Sequence, residues 1–167
     1  DWYDGGFWID LYTHNWAEDS KPLYDTWKYL YKVIVFSNDG LSTIERHKQL
    51  LTDEQYKTYK AEVRAIRALY YYYLMDMFGN IPLVTTVNED TENAEQASRP
   101  EVYKFIVKEL QEVAPLLPTG HSNHAGVYYG RVTRSVANFL LAKLMLNGEV
   151  YSDADWTDNQ RPDGRQT

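Results

Sequence analysis

The stretch that decides the fold is AEVRAIRALYYYYLMDMFGNIPLV, Ala61 to Val84. Ala61, Ala65 and Ala68 recur every three or four residues, four tyrosines follow at Tyr70 to Tyr73, and Gly79 and Pro82 close the stretch. On a helix, small residues at that spacing let a neighbouring helix approach closely, while large rings fill the grooves further out. Each helical residue turns by about 100°, so four consecutive rings cannot face one pocket. Tyr70 and Tyr73 share a face; Tyr71 and Tyr72 point elsewhere. The run therefore reads as packing material for a helix buried on most of its circumference, not as a ligand platform.

Working outward, the same helix starts at a capping box, with Thr52 as N-cap and Gln55 three residues on, and stops at Gly79. Upstream, a helix is predicted from Ser20, with Pro22 in its first turn and Leu23, Trp27, Leu30 and Ile34 at helical spacing. Asn38-Asp39-Gly40 reads as its end. Downstream, Ser98 and Glu101 repeat the capping signature before Val102, Phe105, Ile106, Leu110 and Val113, and the pattern fades at Pro115 to Pro118. A fourth helix is predicted from Thr133 through Ala137, Leu140, Leu141, Leu144 and Met145 to Gly148. Strand signals are sparse: Ile81 to Val84 suits a brief pairing, and Gly126 to Val132 a short extended piece. The expected fold class is all-α, tetratricopeptide-like helical repeats with long irregular loops, although the strict 34-residue consensus of such repeats is missing.

Composition sets the bounds. The 167 residues suffice for one core, and 44% apolar content with ordinary charge content marks a globular chain. The net charge of −7 argues against a nucleic-acid partner. With no cysteine there is no disulfide and no thiolate chemistry. No apolar run is long enough to span a membrane, and no signal peptide is visible. The chain opens without Met and stops in DNQRPDGRQT, so it reads as an internal fragment of a longer chain. Within a single domain, 1–19 is expected to be an aromatic loop region, 20–150 the helix pairs and 151–167 a truncated tail.

The signature stretch resembles that of the SusD/RagB family, surface nutrient-binding lipoproteins of Bacteroidetes. The resemblance rests on Ala61-Glu62, Arg67-Ala68, Tyr70 to Tyr73, Leu74, Phe78-Gly79 and Ile81-Pro82-Leu83. VYKFIVKELQEVAPLLP and GRVTRSVANFLLAKLMLNGEVY resemble the two helices that follow in the family, and DWYDGGFWIDLYTHNW its upstream loop region. The resemblance implies a carbohydrate-binding subunit that is not an enzyme and needs no cofactor. It implies a glycan ligand, a SusC-like TonB-dependent transporter as partner, and a surface-exposed place at the outer membrane through a lipid anchor absent from this fragment. Members run to several hundred residues, and whether this stretch holds a complete ligand site is left open by the sequence.

The N-terminal segment suits a sugar on its own terms. Trp2, Trp8 and Trp16, with Tyr3, Phe7 and Tyr12, alternate with Asp1, Asp4, Asp10, His14 and Asn15. Aromatic planes stack on the apolar faces of sugar rings while polar side chains bond the hydroxyls, the usual composition of a small-ligand site. Trp16, Asn15, Trp2 and Asp4 are the candidate carbohydrate-binding residues. Trp8, within FWIDL, reads instead as a partly buried anchor pinning the loop to the helices, and for Trp16 anchoring remains open beside binding. Arg67 reads as structural.

Two other classes stand beside the binder. A glycoside hydrolase needs two carboxylates at a set separation, and Asp1, Asp4 and Asp10 lie near Trp2 and Trp8. A helical-repeat protein-interaction scaffold needs only a concave helical face. His121 and His124 lie three apart in a polar loop and read as solvated, and Asp153 to Asp158 lacks the glycine and glutamate of a calcium loop, so no metal is expected.

Overall fold

The computed structural model describes residues 5–87, 94–155 and 157–158. A one-turn helix, α1 (Ile9–Tyr12), precedes the long α2 (Lys21–Arg46) and α3 (Asp53–Phe78). Then come a two-residue β1 (Ile81–Pro82) and β2 (Gln96–Ala97), α4 (Arg99–Val113), α5 (Arg134–Leu146) and the short α6 (Gly148–Ser152). The strands pair antiparallel, Ile81 with Ala97 and Pro82 with Gln96, so the expected brief pairing forms.

Local sequence explains the helix starts. Thr52 and Ser98 each accept the backbone N–H three residues on, and the Gln55 and Glu101 side chains reach back to their N-cap N–H groups. Both capping boxes are complete. At Gly79 the backbone adopts a φ of 73°, which a side chain would resist, and the chain leaves α3 there.

α2 and α3 lie antiparallel: Trp27 meets Phe78, Tyr29 meets Tyr70, and Asn38 meets Arg67. α4 and α5 form a second antiparallel pair. At one end Arg134 bonds the carbonyls of Ala114 and Pro115; at the other Tyr151 stacks near Tyr103 and Arg99 bonds the Asp153 carbonyl. Two successive helix pairs with a shared core make the fold all-α and tetratricopeptide-like.

The core runs between the pairs through Ile34, Ala61, Ala65, Ala68, Leu74, Met75, Val102, Ile106, Leu110 and Leu144. Of the tyrosine run, Tyr71 and Tyr72 are buried, while Tyr70 packs edge-on against the exposed Tyr73. The run is packing material on most of the helix circumference, as its spacing predicts.

Arg67 is buried and tied on three sides. It donates to Asn38 Oδ1 at 2.8 Å, to the Thr85 carbonyl at 2.8 Å and to Glu109 at 2.9 Å. Arg64 also reaches Glu109, its Nε at 3.1 Å. Burial pushes the Glu109 carboxyl up, but its bonds and charges to Arg64 and Arg67 outweigh this and hold it below the ordinary value. One buried ionic knot thus joins α2, α3, α4 and the segment after β1.

Two expectations are corrected. α2 does not end at Asn38-Asp39-Gly40 but continues to Arg46. Asn38 is a buried partner of Arg67 and of the Val84 carbonyl, and a Cβ at Gly40 would stand 3.7 Å from Val63 of α3. These residues serve the helix contact and do not cap. Gly126 to Val132 forms no extended piece; it is folded by turns, with Tyr129 N–H bonding the Gly126 carbonyl and Arg131 N–H the Tyr128 carbonyl.

Candidate functional site

The aromatic segment before α2 is a compact turn. Gly5 and Gly6 take φ values of 75° and 90°, and Gly6 offers its carbonyl to the Ile9 N–H at 3.1 Å. α1 follows for a single turn and ends at Thr13, whose hydroxyl bonds the Ile9 carbonyl at 2.9 Å. His14 then takes a left-handed φ of 55°, a conformation that His tolerates better than most residues. That reversal lets the Asn15 N–H return to the Asp10 carbonyl at 2.8 Å.

From there the chain runs directly into α2. The Ser20 hydroxyl accepts the Ala17 N–H at 2.9 Å instead of capping the helix, and Lys21 Nζ lies 5.8 Å from the Phe7 ring centroid. The turn is therefore closed on itself and seated at the start of α2.

Its aromatic side chains face outward. Trp8 is 46% exposed, Tyr12 86% and Trp16 51%. Phe7 backs Trp8 edge-on at 4.7 Å between centroids, and the His14 ring lies 5.4 Å from that of Trp16 at 50°. Amphipathic rings held half-exposed by neighbouring rings keep both an apolar face and a wet edge available. Asn15 is exposed beside Trp16, and its side chain makes no hydrogen bond among those found for the described residues. The structure thus brings Asn15 and Trp16 together; Trp2 and Asp4 lie outside the described residues.

His14 and Tyr12 belong to the alternating aromatic and polar segment but not to the candidate binding residues, and their parts in this surface come from the turn. The signal was available only in retrospect: His14 is a non-glycine residue where the chain must reverse between Thr13 and Asn15. Of the carboxylates weighed for hydrolysis, Asp10 is exposed, while Asp1 and Asp4 fall outside the described residues. Among the described residues, no group of three or more His, Asp or Glu side chains is placed to hold a metal ion.

The family model described as SusD-like, starch-binding and associating with the outer membrane matches residues 2–146. The chain belongs to the SusD-like family. The match takes in the turn, both long helices and the second pair, so family membership covers the candidate site as well as the scaffold. This SusD-like chain is 30% identical over 108 residues to the starch-binding protein SusD of Bacteroides thetaiotaomicron, an alignment covering 61% of this chain and 17% of that protein. A solved structure of surface glycan-binding protein A from Bacteroides uniformis is similar with a TM-score of 0.75 and 27% identity, covering 88% of this chain and 33% of that one. A SusD-like carbohydrate-binding protein from Bacteroides fragilis is similar with a TM-score of 0.71 and 27% identity, over 83% of this chain and 27% of that one. The chain spans less than a fifth of the curated relative's length and a third or less of these structures.

Proposed function

We propose that this chain forms the helical scaffold and aromatic turn of a cell-surface glycan-binding protein. It holds oligosaccharide or polysaccharide nutrient without cleaving it and passes the sugar to a TonB-dependent outer-membrane transporter of the SusC type. The observation that carries this reading is the outward trio Trp8, Tyr12 and Trp16, with Asn15 and His14 beside it on a closed turn. Half-exposed indoles next to amide and imidazole groups suit a ligand with apolar C–H faces and many hydroxyls. Starch and glycan binding by similar proteins supports the same ligand class. Trp16 and Asn15 are the first contacts proposed, and Trp2 and Asp4 are proposed as further contacts on the sequence reading alone.

The reading is tested by affinity electrophoresis of the full chain through gels containing soluble starch, laminarin, xylan or pectin. Retardation by one of them, reduced in Trp16→Ala, is the expected result. No retardation in any gel would sink it. Release of reducing ends from the retarding polysaccharide would replace the binder with a glycoside hydrolase.

A further inference from the structure

A concavity lies at the far end of the α2/α3 pair from the aromatic turn. It is a cleft of about 400 Å³ between the first two turns of α3 and the segment running from Leu116 to Arg131. Glu54, Gln55, Thr58 and Tyr59 line one wall; Tyr128 and Arg131 stand on the other. That volume falls within the range of small-molecule sites.

Both tyrosines are available, and Tyr128 is held in place. Tyr59 is 39% exposed and Tyr128 is 38% exposed. Arg131 links them: its guanidinium lies 5.8 Å from the Tyr128 ring centroid, and it bonds Glu62, one turn beyond Tyr59 on α3, through Nε at 3.2 Å. Tyr128 is also pressed onto Gly120, where a Cβ would stand 2.0 Å from the ring's Cδ2. No side chain fits at position 120 while that ring keeps its place. The loop is built around one ring orientation, a form of preorganisation that lowers the cost of binding.

The chemistry of the lining narrows the ligand. Arg131 is already neutralised by Glu62, so no free cation waits for a phosphate or carboxylate. Glu54 is the one further charge on the walls named, and it disfavours an anion. Two phenol rings with amide and hydroxyl groups around them match a neutral ring that is apolar on its faces and polar at its edge.

We infer that this cleft is a second saccharide subsite, in which Tyr59 and Tyr128 stack on neutral hexopyranose units and Gln55, Thr58 and Glu54 bond their hydroxyls. The ligand class rests on the glycan-binding reading above, but the cleft shares no residue with the aromatic turn. The two are therefore separable.

The test is a backbone amide NMR titration of the full chain with maltoheptaose, laminariheptaose, cellohexaose and xylohexaose. With one of these sugars, signals of Thr58, Tyr59, Gly120 and Tyr128 are expected to shift. Tyr59→Ala and Tyr128→Ala should each weaken that response about tenfold, a loss in the range of a stacked aromatic contact, while shifts at Asn15 and Trp16 persist. Gly120→Ala, which displaces the Tyr128 ring, should give the same loss, and Tyr59→Phe should retain binding. Thermal melts confirm that each variant folds. If no sugar in the panel shifts the cleft signals, or if all three disruptive variants respond like the parent, the inference is wrong. Response at the turn alone overturns the cleft and spares the turn; response at the cleft alone does the reverse.

Discussion

The Tyr71 hydroxyl donates to the Val84 carbonyl at 2.6 Å and accepts the Val84 N–H at 2.8 Å. One phenol thus replaces a strand neighbour for both backbone groups of a residue that leaves the small sheet. Because Tyr71 and Val84 are both buried, no water stands ready to take over. Tyr71→Phe should therefore cost about 1–3 kcal/mol, the penalty of buried backbone groups losing a partner. Urea unfolding followed by circular dichroism measures it. An unchanged midpoint would mean that Asn38, which also donates to the Val84 carbonyl, satisfies that oxygen alone and that the Val84 N–H finds another acceptor.

The ionic knot makes a sharper prediction. Arg67 and Glu109 side chains are 7% and 10% exposed, so removing one charge strands the other. Glu109→Gln should destabilise the fold by about 3–5 kcal/mol. It also sets a pH dependence. The Glu109 pKa in the folded state lies below its ordinary 4.5, so its contribution is complete above about that pH and fades as pH falls through the folded value. Unfolding midpoints measured from pH 6 down to pH 3 should drop for the parent and flatten for Glu109→Gln.

Close approach of the helices is testable at Ala68, which is fully buried. Ala68→Leu adds volume where the core has none to give and should cost about 1–3 kcal/mol. A thermal melt at neutral pH reads the effect. A variant as stable as the parent would show that the alanine spacing does not set the helix distance.

At the aromatic turn the expectation reverses. Trp16 is half exposed and buries little, so Trp16→Ala should leave stability within about 0.5 kcal/mol. Polysaccharide binding should weaken about tenfold, ~1.4 kcal/mol. Calorimetric titration with the retarding glycan separates the two effects. Loss of folding with loss of binding would mark Trp16 as an anchor.

What could be read in advance divides along physical lines. Helix starts were legible because a cap is a local device: Thr52 with Gln55 and Ser98 with Glu101 need nothing distant to form. The alanine spacing and the tyrosine run gave the packing helix for a similar reason, since periodicity survives any tertiary setting. The end of α2 was misread because Asn38 and Gly40 are turn residues by habit. Here a partner on α3 and a neighbouring side chain claim them. The Tyr59 and Tyr128 cleft had no local signal at all, because its walls are far apart in the chain and meet only when α4 and α5 return beside α3.

The antiparallel pairing of α2 and α3 has a metric consequence. Each helix has 26 residues, so the pair is a rod about 39 Å long. The aromatic turn sits at one tip and the tyrosine cleft at the other. If both proposed sites bind sugar, a short oligosaccharide meets one tip only, whereas a polymer lying along the rod engages both and turns the second contact into an intramolecular event. Affinity plotted against degree of polymerisation would then rise in a step, at the length where the sugar first outreaches the helices, and the rod would act as a ruler for its own ligand.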